Sequence, residues 1–183
     1  MKKLLIILVS VIIFSLLVAC NNKGEQAGKN VELETIWMEI KEHIAKDLED
    51  NGIENALENG VLQLYVEANL TGTADENPTK QMILEHTQIN EESINAGYYL
   101  AAMMNVNSDQ IILLQAKDRD HVEDLQASLE RELEAQTQTW EQYLPDQYEK
   151  VKNNVIQVNG NYLLYVTYEK PDSIVEIFNK HTK

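Results

Sequence analysis

Asn159-Gly160 restricts the fold more than any other feature of the chain. It stands between two runs of β-compatible residues, Val155–Val158 and Asn161–Glu169. Asn-Gly in this setting predicts a tight hairpin, because a type I′ turn needs positive φ at both central positions and these residue types tolerate it best. Such a hairpin decides which side chains share a face. Tyr162, Leu164, Val166 and Tyr168 fall on one side, and Leu163, Tyr165 and Thr167 fall on the other with Ile156 and Val158. Both sides are apolar, so this strand pair calls for cover on at least one face.

The rest of the pattern supplies the partners. Leu33, Ile36, Trp37, Ile40, Ile44 and Leu48 recur at helical spacing, with Glu34, Lys41, Glu42 and Glu49 off that stripe, and Asn51-Gly52 ends the run. Leu62, Leu64 and Val66 alternate with Gln63, Tyr65 and Glu67, which predicts a short strand. Thr71–Pro78 reads as loop, and Pro78 suits the first turn of a helix running to about His86. Ile94–Met104 and Gln110–Lys117, joined by the turn cluster Asn105–Asp109, predict a second hairpin. Asp120 with Glu123 forms a helix-start pattern. Beyond it Val122, Leu125, Leu129, Leu133, Thr137 and Trp140 mark one face of a long helix, with Glu123, Glu130, Glu134 and Glu141 on its wet side. Leu144-Pro145 breaks that helix ahead of a short one over Asp146–Lys152. Pro171 opens a last helix with Ile174, Val175 and Phe178 inward. The expected architecture is α+β: a four-stranded, mainly antiparallel sheet built from two hairpins separated by a long helix, with helices packed mainly on one face.

The N-terminus has a different character. Lys2 and Lys3 precede an apolar run of 15 residues, Leu4–Val18, broken only by Ser10 and Ser15 and followed by Ala19. A bilayer-spanning helix needs about 20 apolar residues, so a cleaved secretory signal fits better than a retained anchor. Leu17-Val18-Ala19-Cys20 resembles the lipobox of bacterial lipoproteins. The resemblance implies a signal peptide over 1–19, a diacylglyceryl group on Cys20 and a protein held on the extracytoplasmic face of the cell membrane. Cys20 is the sole cysteine, so no intrachain disulfide forms and the core must hold by packing alone. Residues 20–30 then read as the lipidated cysteine and a polar, glycine-containing tether, and 31–183 as one domain.

Charge narrows the partners. The formal net charge is −15, and removing residues 1–19 takes away Lys2 and Lys3 but no acid, giving −17. A body this acidic excludes nucleic acid, whose phosphates need basic contacts. The expected partners are the membrane, through the lipid on Cys20, and an envelope protein or small ligand.

No chemical motif points to catalysis. Asp118-Arg119-Asp120-His121-Val122-Glu123-Asp124 is rich in carboxylates, but a calcium loop counted from Asp118 needs Gly at 123 and Glu at 129, where Glu123 and Leu129 stand. The cluster reads as a helix start. His43, His86, His121 and His181 contain no i, i+4 pair; His43 falls on the wet side of the first helix and His181 in the C-terminal tail. Ser93, Ser108, Ser128 and Ser173 lack a nucleophile-elbow context. Neither a metal nor a cofactor is expected.

Ile89-Asn90-Glu91-Glu92, Met103-Met104-Asn105-Val106, the strand Asp109–Asp118, Trp140-Glu141-Gln142-Tyr143-Leu144-Pro145, and Asn159-Gly160-Asn161-Tyr162 with the closing strand form an ordered series. On these residues the chain, from about Gln88 onward, resembles a family of small lipoproteins from Gram-positive bacteria known as a domain of unknown function. The resemblance implies a fold and an address, and no activity.

Tyr98, Tyr99, Met103, Met104, Tyr162, Tyr165 and Tyr168 are the candidate partner surface. They form one if a single helix layer leaves the second sheet face open. The simpler expectation is that the N-terminal helix covers that face. The function expected is a non-catalytic binding or accessory module of the cell envelope. The alternative is an enzyme acting on an envelope substrate.

Overall fold

The computed structural model describes residues 32–73 and 79–183. The expected signal peptide, Cys20, the tether and Pro78 lie outside the described residues.

Helix α1 spans Leu33–Asp50 and buries Leu33, Ile36, Trp37, Ile40 and Ile44, as the spacing predicts. It ends at Asn51, with Gly52 at φ +92°. Lys41 departs from expectation. Periodicity puts it on the wet side, yet it is only 3% exposed. Its ammonium donates to the carbonyl of Gly60 and to the carboxylate of Glu67, which compensates for its removal from water.

Two short strands, β1 (Leu57–Glu58) and β2 (Val61–Leu62), pair as a small hairpin, and β3 (Tyr65–Asn69) follows. The expected alternation over Leu62–Val66 fails at Leu64. This residue takes φ +67° and points to solvent, so Tyr65 turns inward instead. A residue in the left-handed region resets the face that follows it. Helix α2 covers Lys80–Thr87. Strands β4 (Ile94–Ala102) and β5 (Gln110–Ala116) form the expected hairpin. Helix α3 covers Val122–Glu141 and α4 covers Pro145–Lys152, with Pro145 in its first turn. Strands β6 (Val155–Asn159) and β7 (Tyr162–Thr167) and helix α5 (Pro171–Thr182) complete the chain.

The main sheet is five-stranded and antiparallel throughout, in the order β3-β4-β5-β7-β6. It has one strand more than expected, because β3 joins at the edge. The helices do not gather on one face. On one side Leu100, Ile111, Leu113, Tyr162, Leu164 and Val166 pack with Ile36, Ile40 and Ile44 of α1 and Ile174 and Phe178 of α5. On the other, Ile112, Leu114, Leu163 and Tyr165 pack with Ile83 and Leu84 of α2 and Leu125 and Leu129 of α3. Five successive apolar or aromatic residues in β7, Tyr162–Val166, require this two-sided cover, since successive strand residues point to opposite faces. No helix among the described residues is long and apolar enough to cross a membrane.

The closing hairpin turns one residue later than expected. Asn159 pairs with Tyr162, so Gly160 and Asn161 make the loop, and only Gly160 has positive φ, at +61°. Gly at the first central position fits a type II′ turn rather than type I′. The shift adds one residue to one strand and removes one from the other, so the predicted faces survive: Ile156 pairs with Tyr165 and Val158 with Leu163.

Candidate functional site

The seven candidate surface residues do not come together. Tyr98 stacks on Trp37 of α1, ring centroids 5.2 Å apart. Tyr162 and Tyr168 lie buried on that same face, Tyr168 donating its hydroxyl to Asp47 at 2.9 Å. Tyr99 and Tyr165 belong to the opposite face, under α3. Burial raises the phenol pKa of Tyr98, Tyr99, Tyr165 and Tyr168. Only Met103 and Met104 remain open to solvent, at 63% and 55% exposure, in the turn between β4 and β5.

That turn is the most distinctive surface of the molecule. Val106 is exposed beside the two methionines, and Leu64 meets them across the sheet edge, its carbonyl accepting the Met103 N–H at 2.8 Å. Sequence reasoning passed over Leu64 and Val106. An apolar residue inside a polar turn cluster was the available signal for Val106.

The base of the turn is held by buried charge. Asp109 accepts the Tyr65 hydroxyl and the Lys150 ammonium, each at 2.7 Å, and the Asn107 side-chain amide at 3.0 Å. Lys150 also donates to Asn107 at 2.9 Å. Gln147 of α4 accepts the Ser108 N–H at 2.9 Å. Burial, then the charge of Asp109, drives the Tyr65 pKa far above that of a free phenol. The turn thus has a fixed foundation, and its apolar side chains project from it.

A second polar junction lies on the opposite sheet face. Glu132 of α3, 2% exposed, accepts Gln110 at 2.8 Å and Gln136 at 2.9 Å, with His86 Nε2 at 3.5 Å. Gln110 also donates to Tyr99 at 3.2 Å. These bonds join β4, β5 and α3, and they explain a carboxylate buried in the helix interface.

One juxtaposition suggests hydrolase chemistry and fails on geometry. Ser173 Oγ lies 2.8 Å from His43 Nε2, and Asp47 lies near the same histidine. The 3.7 Å approach of Asp47 is to Nε2 again, not Nδ1. A triad needs the acid on the far ring nitrogen, where it fixes the tautomer that serves the serine. Ser173 Oγ moreover donates to the Lys170 carbonyl at 2.7 Å.

The carboxylate run begins a helix, as expected, but the capping residue is Asp118 rather than Asp120. Its side chain accepts the Asp120 N–H at 3.0 Å and starts a 3-10 turn that leads into α3. Among the described residues no group of three or more His, Cys, Asp or Glu is placed to hold a metal ion. His181 is not in a loose tail: it lies in α5 and pairs with Glu39 at 2.7 Å. His181 first, and then Lys180, hold the Glu39 pKa below the ordinary carboxylate value. Two shallow recesses lie elsewhere, one on the acidic face of α1 around Glu34 and Glu42, the other beside Asn90, Ser128 and Arg131.

No curated protein and no solved structure matches the chain. A family model described as a domain of unknown function (DUF4358) matches residues 69–168, starting in β3 rather than near Gln88 and ending at the close of the sheet. With more than half of its length matched, the chain belongs to that family.

Proposed function

We propose that this protein is a lipid-anchored component of the bacterial cell envelope, a non-catalytic binding module that engages an envelope protein through the β4–β5 turn. The address rests on the basic start, the apolar run and Leu17-Val18-Ala19-Cys20, together with the likeness to small Gram-positive lipoproteins.

One observation carries the binding reading: Leu64, Met103, Met104 and Val106 are exposed together at one end of the sheet. Large apolar side chains gathered at one place mark contact surfaces, and unbranched methionines adapt to an apolar partner. The end matters too. Trp37 in the second turn of α1 stacks on mid-strand Tyr98, while Asp47 near its C-terminus reaches Tyr168 beside the β4–β5 turn. The chain therefore enters α1 at the opposite end of the sheet, about 27 Å away at 1.5 Å per helical residue. A tether at that end leaves the methionine turn unobstructed. The turn projects rather than recedes, which suits a protein surface and not a small molecule.

The test is a photo-reactive residue at position 104 of the full chain in intact cells, compared with one at Met82, an equally exposed methionine on α2. A protein captured from 104, not from 82, and lost on Met103→Asp supports the assignment. Identical capture from both positions, or none from 104, rejects it.

A further inference from the structure

The two edges of the main sheet are finished differently. At β3, Glu67 sits mid-strand and takes the Lys41 ammonium and, at 2.7 Å, the N–H of Leu62. The β1–β2 hairpin lies beside it. A charged residue and a covering hairpin are the usual means of blocking a sheet edge. Strand β6 has neither. Val155-Ile156-Gln157-Val158-Asn159 contains no charge, no proline and no bulge, and it lies in a stretch of 16 residues, Asn153–Tyr168, without a charged side chain. In a chain of net charge −15 that neutrality is conspicuous.

The register shows which main-chain groups face outward. The Ala116 N–H donates to the Asn161 carbonyl at 2.8 Å, so the odd-numbered residues of β7 bond to β5 and the even-numbered ones to β6. Tyr162, Leu164 and Val166 therefore bond to Asn159, Gln157 and Val155. The N–H and C=O groups of Ile156 and Val158 point away from the sheet. Among the described residues no main-chain bond reaches them from outside, and the Val158 carbonyl has only a 3.5 Å approach from the Gln157 side chain.

We propose that β6 is the docking edge for a second copy of this chain, pairing antiparallel with its own β6 and joining the two five-stranded sheets into one. The edge is self-complementary. With the two-fold axis at Gln157, Ile156 of one copy meets Val158 of the other, all their outward N–H and C=O groups are paired, and β-branched residues stand opposite one another. Charge favours a copy of the same chain here: two strongly acidic bodies can approach only where neither carries charge, and β6 meets that condition. A single added strand is a modest interface, so the dimer is weak in dilute solution and favoured by confinement to one membrane surface. This inference is independent of the methionine turn, which stays accessible at the end of the sheet.

Gln157→Cys in the full chain places a thiol on the two-fold axis, opposite its own copy. Membranes carrying this variant are treated with a mild oxidant and compared with two controls: Val66→Cys on the β3 edge, and the unsubstituted chain, which registers any bridge through Cys20. A disulfide dimer several-fold above both controls is expected. Adding Ile156→Pro to Gln157→Cys removes an outward N–H while leaving every β6–β7 bond in place, and it should return the yield to the control level with protease resistance retained. Yield from Gln157→Cys no higher than from Val66→Cys overturns the proposal. So does a dimer that survives Ile156→Pro in a protease-resistant chain. Should Ile156→Pro lose protease resistance, Val158→Pro is read by the same criterion.

Discussion

Lys150, in α4, places its ammonium 2.7 Å from a carboxylate oxygen of Asp109, 41 residues earlier at the base of the β4–β5 turn. Both side chains are largely buried. The pair joins a helix inserted late in the chain to the turn that carries the exposed methionines, and it makes the shape of that turn depend on α4.

Lys150→Met leaves the Asp109 carboxylate buried with its cation removed. A loss of about 3 kcal/mol is expected, since breaking one side of a buried pair costs more than the pair itself contributes. The double change Lys150→Met with Asp109→Leu should recover part of it. Chemical denaturation of the full chain checks the energies, and faster hydrogen exchange over residues 103–108 checks the link to the turn. An additive double variant would mean that the two residues act separately.

Two glycines separate backbone strain from packing. Gly160 has φ +61° and nothing within 4 Å of where a Cβ would lie, so Gly160→Val strains the backbone alone, by about 1–2 kcal/mol. At Gly97 a Cβ would sit 3.1 Å from Ile94 Cδ1 and Leu114 Cδ2 and 3.2 Å from Leu70 Cβ. Gly97→Ala therefore overpacks the core, at a cost of about 1–3 kcal/mol. A denaturation midpoint unmoved by Gly160→Val would contradict the turn geometry.

Alkaline pH should unfold the domain. Burial raises the phenol pKa of Tyr65, Tyr165 and Tyr168 well above the ordinary 10.0. A folded-state pKa above the unfolded one means that the stability is fully present below about pH 10 and is lost as pH rises beyond it. Tyrosinate absorbance from these three should appear together with unfolding. Tyr165→Phe should shift the alkaline midpoint upward, since it removes the ionisable hydroxyl and with it only a long 3.5 Å contact from Thr167. Tyrosinate forming at these positions in a folded chain would refute the assignment.

Calcium should change little. Asp118 is engaged with the Asp120 N–H, and the neighbouring acids lie along a helix start rather than around a shared centre. Tight binding would stabilise the fold by about 2.7 kcal/mol at a hundredfold excess over the dissociation constant. No appreciable rise in unfolding temperature is expected when millimolar calcium replaces chelator. A rise of several degrees abolished by Asp118→Asn would make this cluster a site.

The helices and both long hairpins were legible because each rests on local signals: periodicity, proline, turn residues. The sequence missed features that depend on distant partners. Lys41 reads as wet because charge normally marks a solvated face, and its burial is compensated by Glu67, which no local pattern links to it; Glu132 is not singled out, and its bond to Gln110 of β5 is equally invisible to local pattern. The strand near Leu62–Glu67 is legible as a strand, but its place as the fifth strand of the main sheet is not, because that place rests on its pairing with β4, far along the chain. Of the candidate surface, the tyrosines read as exposed only while one sheet face was taken as open. With helices on both faces they are core, and Met103 and Met104 are what remains.

Everything proposed about where this domain works depends on Cys20. The direct measurement is incorporation of a labelled fatty acid into the full chain in growing cells, beside Cys20→Ser. Label in the unsubstituted chain, none in Cys20→Ser, and accumulation of the unprocessed precursor are the predicted results. Equal labelling of both chains, or no label in either, would contradict the lipid anchor on Cys20.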